Sequence, residues 1–257
     1  MRFIGQNYIM QQLRFMLPVL YSNQSMGENF LLQGPSGFGK TTMAVGICNY
    51  LSGNSFEIYN YDKIPFRFYK RVVFIDEIHK MNDPEFLFPI MDGKKHVLVL
   101  ATNHDSVLPE ALVNRCIQFI FTDYSEEELI IICRDFSKLP ISEANLLKII
   151  NAGNNNPRII KSIITRMEMY FVGNSSEDPR TTNYDEILTR VFDINDGIDT
   201  VSKRYLEILE DVGGICSLSM LKSLLHVDEN TLKQIVEPVL LKKGKIKITP
   251  KGRILLQ

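Results

Sequence analysis

Much of what this chain of 257 residues does not contain narrows what it is. No apolar run reaches the roughly 20 residues that a membrane-crossing helix needs, so no membrane partner is expected. The N-terminus lacks the charged and apolar regions of a secretion signal, and the expected location is the cytoplasm. Cys48, Cys116, Cys133 and Cys216 lie far apart and form no Cys-x-x-Cys pair. They read as reduced residues packed in apolar surroundings. A net charge of −1 gives no global sign of nucleic-acid binding, which a local patch would have to supply. Internal repeats and low-complexity tracts are also missing. What is present is a 45% hydrophobic composition, enough for a real core, on a length that suggests two domains or three small ones.

The most informative stretch is Leu31-Leu32-Gln33-Gly34-Pro35-Ser36-Gly37-Phe38-Gly39-Lys40-Thr41-Thr42. It fits GxxxxGK followed by Ser or Thr, between an apolar run and a helix-like segment, which is the strand–loop–helix context that separates a phosphate cradle from an ordinary Gly-rich turn. Gly34, Gly37 and Gly39 let backbone N–H groups converge on phosphates, Lys40 supplies a mobile positive charge, and the Thr41 hydroxyl can complete a Mg²⁺ shell. The second half of such a site is Arg71-Val72-Val73-Phe74-Ile75-Asp76-Glu77-Ile78-His79. Four apolar residues ending in two carboxylates describe a buried parallel strand with its charges at the C-terminal edge, where open α/β sheets bind ligands. Asp76 suits a metal ion, and Glu77 suits polarising a water molecule.

Three regions follow along the chain. Residues 1–122 alternate apolar strands (29–32, 72–75, 97–101 and 117–121) with helices such as 10–21 and 42–51, as in an α/β nucleotide-binding core. Residues 123–190 turn helical, opened by a capping box at Ser125 and Glu128, with a second helix capped by Ser142 and a third over 157–170. The polar stretch 173–179 reads as an exposed, mobile loop. Residues 191–257 form a further module of short helices, broken at Gly213-Gly214, with two terminal strands at 246–248 and 253–256.

Taken with Phe3-Ile4-Gly5-Gln6, Ala101-Thr102-Asn103, Asn156-Pro157-Arg158-Ile159 and Thr249-Pro250-Lys251-Gly252-Arg253, these motifs make nearly the whole chain resemble the RuvB family, AAA+ motors of Holliday-junction branch migration. The resemblance implies an α/β fold, namely an AAA+ P-loop parallel-sheet core with a small helical lid and a C-terminal winged helix. It also implies an ATPase using ATP and Mg²⁺ at the interfaces of a homo-oligomeric ring, a hexamer, that moves DNA. Residue by residue, Asn103 takes the sensor-1 position, Arg115 the arginine finger and Arg158 the sensor-2 position, while Ile4 and Tyr124 enclose the adenine. Pro35, Ser36, Phe38 and Thr42 share the nucleotide contacts, and Thr41 and Asp76 hold the metal. Asn103 could instead start a turn, and Arg115 could be a surface arginine capping a helix.

The basic patch agrees with a DNA partner. Residues 201–257 hold ten Lys/Arg against six Asp/Glu, and six of the ten lie between 242 and 253. Lys243, Lys245, Lys247, Lys251 and Arg253 are the expected contacts, made to backbone phosphates with little base readout. A solvated basic hairpin, or a protein-docking module, would share this composition.

The chain also departs from the family. Only about thirty residues separate Thr42 from Val72, where the family has room for a further strand–helix segment. Between Asp76 and Asn103 the family carries a long β-hairpin that docks RuvA, and here Asp92-Gly93 reads as a tight turn with Lys94 and Lys95 solvated at its tip or facing DNA in a pore. Asn114-Arg115-Cys116 is similar to the Ser-Arg-Cys segment of clamp loaders. Loading a replicative helicase or clamp, with a replication or recombination protein as partner, is the alternative to a motor. A nucleotide-dependent DNA-binding adaptor is a third.

Overall fold

The computed structural model of the protein describes residues 3–23, 27–103 and 108–256. The chain divides into two compact units, Met1–Glu128 and Leu129–Gln257. Among the described residues, no helix is long and apolar enough to cross a membrane.

In the first unit, β1 (Asn29–Gln33), β3 (Val72–Asp76) and β4 (Val97–Thr102) are near-continuous apolar runs, buried on both faces as central parallel strands must be. With β2 (Phe56–Asn60) and β5 (Cys116–Ile120) they form a five-stranded sheet in the order β2-β3-β4-β1-β5, every pair parallel. Helix α1 (Asn7–Ser22) packs on α2 (Lys40–Ser52), and α2 packs on β1, β3 and β4. Short helices α3 (Phe88–Asp92) and α4 (Glu110–Val113) complete the unit. Cys48, Cys133 and Cys216 are buried, Cys116 is half-buried, and all four are free thiols. Burial pushes the thiols of Cys48, Cys116 and Cys133 up to about 12, which leaves them uncharged packing groups.

Two expectations for this unit need correction. The short interval between Thr42 and Val72 still contains a strand: β2 pairs with β3 from Phe56↔Val72 to Asn60↔Asp76. It escapes a search for apolar runs because, as an edge strand, it carries Glu57 and Asn60 and is only half-buried. Residues 61–71 then return to β3 with no helix. Asp92-Gly93 is likewise not a free-standing turn. Asp92 ends α3 and Gly93 caps it in the right-handed region, while Lys94 takes the left-handed φ of 51° and is exposed with Lys95. Residues 77–96 hold two 3₁₀ turns and α3, and none of them is in a strand.

Helix α5 (Glu126–Phe136) opens with a reciprocal capping box: Ser125 N–H donates to Glu128 Oε2 at 3.0 Å and Glu128 N–H to Ser125 Oγ at 3.2 Å. The second unit continues with α6 (Glu143–Ala152), capped by Ser142, and α7 (Pro157–Gly173), capped by Asn156 with Pro157 in its first turn. After α8 (Tyr184–Glu186) come α9 (Thr200–Asp211), α10 (Leu218–Leu225), α11 (Glu229–Thr231) and α12 (Glu237–Lys242). The apolar faces of α9, α10 and α12 meet around Tyr205, Leu209, Leu221 and Leu240, joined by Leu232 from the turn between α11 and α12.

The module ends in β7 (Ile246–Thr249) and β8 (Gly252–Leu255), and a third strand, β6 (Ile215–Cys216), pairs with β8 to give an antiparallel sheet β6-β8-β7. Only two terminal strands were expected. Two residues after a glycine pair give no periodic signal. A Cβ on Gly252 would lie 2.5 Å from the Cys216 carbonyl oxygen, so this turn requires glycine.

Beneath the sheet lies a buried ionic network. Arg253 Nε and Nη2 donate to Glu237 Oε1 and Oε2 at 2.7 and 3.2 Å, and the Tyr205 hydroxyl donates to Oε1 at 3.0 Å. The side chains of Glu237 and Arg253 are 2% and 13% exposed. Glu237→Ala would leave a guanidinium unpaired, at a cost of about 3–5 kcal/mol. The expected outcome is a clear fall in the urea midpoint of this unit, with a smaller fall in Glu237→Gln. An unchanged midpoint would contradict a stabilising role.

Candidate functional site

The strand order itself assembles the site. Because β4 lies between β1 and β3, the C-terminal ends of three parallel strands adjoin, and the residues following them share one edge of the sheet. Those residues are the loop 34–39, Asp76-Glu77 and Asn103.

The loop leaves β1 at Gln33 and enters α2 at Lys40 with φ of 145° at Gly34, 88° at Gly37 and 90° at Gly39, values that only glycine adopts without strain. Space is as short as conformational freedom. A Cβ on Gly34 would lie 2.8 Å from Phe121 Cβ, and one on Gly39 would lie 3.0 Å from the Phe3 ring. Pro35, Ser36 and Phe38 fill the remaining loop positions, and Lys40, Thr41 and Thr42 form the first turn of α2, whose N–H groups have no helical partner. Lys40 Nζ folds back to donate to the carbonyls of Gly34 and Pro35 at 2.7 and 2.8 Å.

The opposing carboxylates are also engaged. Thr41 Oγ1 donates to Asp76 Oδ2 at 3.0 Å, and the Glu77 N–H donates to Asp76 Oδ1 at 2.9 Å. Glu77 has a left-handed φ of 54°, a strained conformation for a residue with a side chain, worth of order 1–3 kcal/mol. Its carboxylate is ion-paired to Lys80 and accepts from Asn103 Nδ2 at 3.4 Å. One strand end away, His79 Nδ1 and Thr102 Oγ1 are 3.1 Å apart. Neither Lys80 nor the His79–Thr102 contact was foreseen. For Lys80 a signal existed, since it follows Glu77 by three residues on one turn.

The N-terminal segment closes one side of the loop. Gln6 exchanges two hydrogen bonds with the Thr122 backbone, at 2.7 and 3.1 Å, and so fixes half-buried Phe3 and Ile4 beside it. Tyr124 is buried, its ring centroid 5.7 Å from that of Phe38, and its hydroxyl donates to the Phe38 carbonyl at 2.8 Å. Burial raises that hydroxyl to about 12 and keeps it a neutral donor holding the loop.

Arg115 is elsewhere. It immediately precedes β5, and its carbonyl accepts from Asn29 Nδ2 at the start of β1, so it lies at the N-terminal edge of the sheet. Five residues of β1 separate that edge from the loop, roughly 16 Å at about 3.3 Å each. Its guanidinium pairs in bidentate fashion with Asp92 at 2.9 and 3.2 Å, donates to the Ala111 carbonyl at 2.8 Å and covers the Phe88 ring at 4.5 Å. Asp92, 23 residues away, carries no sequence signal for this role. Arg158 belongs to the second unit, in the first turn of α7, where its N–H donates to Asn156 Oδ1 at 3.0 Å.

The basic residues divide into two groups. Lys245, Lys247 and Lys251 are exposed on and beside the β7–β8 hairpin. Arg253 is not available as a DNA contact, because Glu237 holds it in the buried network described above. Lys243 is also occupied, paired with Asp196 at 3.2 Å with its side chain 18% exposed.

Residues 30–124 match the family described as ATPase family associated with various cellular activities (AAA), and residues 195–257 match the RuvB C-terminal winged helix domain. The chain is 26% identical to the Holliday junction branch migration complex subunit RuvB of Ehrlichia canis (strain Jake), over 99% of this chain and 88% of that protein. It is 27% identical to the subunit of the same name in Enterococcus faecalis (strain ATCC 700802 / V583), over 98% and 86%. The solved structure of the Thermotoga maritima RuvB Holliday junction branch migration motor superposes with a TM-score of 0.85 at 27% identity, covering 99% of this chain and 93% of that one. The FIGL-1 AAA domain in complex with ADP, at 18% identity and a TM-score of 0.56 over 81% of this chain and 88% of that one, shares the fold. With an AAA domain and a RuvB C-terminal winged helix domain on one chain, this protein is a RuvB-like AAA+ ATPase.

Proposed function

We propose that the chain is an ATP-driven DNA motor that hydrolyses ATP between the subunits of a homo-oligomeric cytoplasmic ring, a hexamer, and moves branched DNA. The observation that carries this reading is the placement of Arg115, which lies a full strand length from its own phosphate loop and therefore serves a neighbour's nucleotide if it serves any. Residues 1–122 act as the nucleotide-binding core, 123–190 as the lid and 191–257 as the DNA-contacting winged helix.

In the proposed cycle, Lys40 exchanges the Gly34 and Pro35 carbonyls for phosphate oxygens. The Thr41 hydroxyl and Asp76 carboxylate, 3.0 Å apart, are the hard oxygen donors that suit Mg²⁺, which supplies charge neutralisation on the phosphates when bound. Glu77 accepts the proton of the attacking water, and Asn103 orients that water or a γ-phosphate oxygen. A neighbouring Arg115 leaves Asp92 to stabilise charge on the transferred group. Ile4 and Tyr124 border the base, and Arg158 couples the lid to the phosphates. Lys245, Lys247 and Lys251 contact DNA phosphates. The names of the relatives, branch migration complex subunits, support DNA as the object of the work. With two 3₁₀ turns and a short helix over 77–96, where the family hairpin would stand, we expect DNA to stimulate turnover by the purified chain without RuvA.

Lys40→Ala should lose ATP binding in a fluorescent-nucleotide titration. Glu77→Gln should bind normally yet turn over about a hundredfold more slowly or worse. Near-parental turnover in Glu77→Gln would remove Glu77 as the base.

Arg115→Ala should bind ATP yet lose about a thousandfold in kcat. Mixed with Lys40→Ala chains it should recover part of its activity, because such rings hold interfaces with both an intact loop and an intact arginine. Co-assembled but inactive mixtures would contradict catalysis between subunits.

Changing Lys245, Lys247 and Lys251 to Ala should weaken duplex binding for all sequences alike and lower the salt slope by about 0.9 per lost phosphate contact, with basal ATPase retained. An unchanged slope would move the DNA surface elsewhere.

A further inference from the structure

The segment 61–71, which links β2 to β3 without a helix, displays aromatic rings that the nucleotide site leaves unexplained. Phe66 is 99% and Tyr69 80% exposed, whereas Phe68 between them is 5% exposed in the core. Phe66 keeps one tilted contact, with the Phe86 ring at 6.2 Å between centroids, and large rings left this far in water gain little for the fold. The Phe68 ring stacks on Tyr59 at 5.8 Å and meets His96 edge-on at 5.7 Å. The Tyr69 N–H donates to both Glu57 carboxylate oxygens, at 3.1 and 3.3 Å, and the Lys70 carbonyl is 2.9 Å from His96 Nδ1. Three anchors in consecutive residues thus hold the backbone that presents Phe66 and Tyr69 outward.

The charge on the segment selects the partner. Residues 61–71 carry Lys63, Arg67, Lys70 and Arg71 against the single carboxylate of Asp62. Lys63, Arg67 and Lys70 are exposed, and none of the three is ion-paired among the described residues. Lysine is depleted from the cores of protein–protein interfaces, whereas exposed rings interleaved with cations are the chemistry of single-stranded nucleic acid, where bases stack and phosphates are neutralised. Duplex DNA, with its bases already stacked, would use the cations and leave the rings idle.

We infer that residues 61–71 form a binding surface for single-stranded DNA, with unpaired bases stacking on Phe66 and Tyr69 and phosphates meeting Arg67 and Lys70. This inference rests on the DNA-motor reading and adds a contact to it in the first unit. The segment also begins beside the hydrolytic carboxylate: the Tyr61 ring centroid lies 5.6 Å from Lys80 Nζ, and Lys80 is the cation paired with Glu77. A strand bound there sits at one end of a contact chain that leads to Glu77.

The test is fluorescence anisotropy of the full chain with a labelled oligothymidylate and, separately, a labelled blunt duplex. A double variant Phe66→Ala/Tyr69→Ala should bind oligothymidylate about tenfold more weakly for each ring removed, with duplex affinity and basal ATPase unchanged. A charge variant Arg67→Ala/Lys70→Ala should lower the single-strand salt slope by about 0.7 per contact. Parental oligothymidylate affinity in the aromatic variant would overturn the inference. So would loss of self-assembly by that variant in size-exclusion chromatography, since it would mark the rings as an interface between copies. If the parent binds duplex but not oligothymidylate, the single-strand surface falls and the motor reading stands. If it binds neither, both fall together.

Discussion

The parallel sheet, with β4 inserted between β1 and β3, is the constraint on which everything else in the first unit depends. Parallel strands share a direction, so all their C-terminal ends lie at one edge and all their N-terminal ends at the other. The phosphate loop, the two carboxylates and Asn103 are neighbours for that reason alone, although Gly34 and Asn103 are far apart in sequence. The same geometry sends Arg115, at the start of β5, to the opposite edge. A monomer built this way has its cradle and its candidate finger on different sides. Under the proposed reading a second copy closes the site, and repeating that contact head to tail would give a ring.

A second common thread is that each proposed catalytic group rests on a partner from its own chain. Lys40 lies on loop carbonyls, Thr41 on Asp76, Glu77 on Lys80 and Asn103, and Arg115 on Asp92. These contacts leave each charged group paired or hydrogen-bonded within its own chain. Engagement of nucleotide and neighbour would replace each of them by a contact to phosphate, water or metal, an exchange of like for like whose net free energy is small beside the gross strength of either bond. In the proposed cycle, Glu77 and Arg115 would act only once these two pairs have opened.

The nucleotide half of this arrangement was legible because its physics is local. A glycine-spaced loop after an apolar run, and two carboxylates after another, specify strand–loop–helix and strand-edge contexts within a dozen residues each. Caps at Ser125 and Ser142 were readable for the same reason. Strand β2 was not, because an edge strand need bury only one side, and β6 is too short to show any period. The assignment of Arg253 to a DNA surface went wrong through a non-local fact: Glu237, sixteen residues earlier, lies under the sheet and claims the guanidinium. Charge counts along a sequence do not distinguish a buried pair from a solvated cation. Nor does an aromatic-rich stretch such as 66–69 disclose which rings point inward, which only the packing of Phe68 against Tyr59 and His96 decides.

The central claim is that hydrolysis occurs between chains. Electron cryo-microscopy of the protein assembled on a forked DNA with a non-hydrolysable ATP analogue tests it most directly. The account predicts a ring in which the Arg115 guanidinium has left Asp92 and lies within hydrogen-bonding distance of the γ-phosphate held by the 34–41 loop of the adjacent subunit. A nucleotide enclosed by one chain alone, with Arg115 still paired to Asp92 in every subunit, would contradict it.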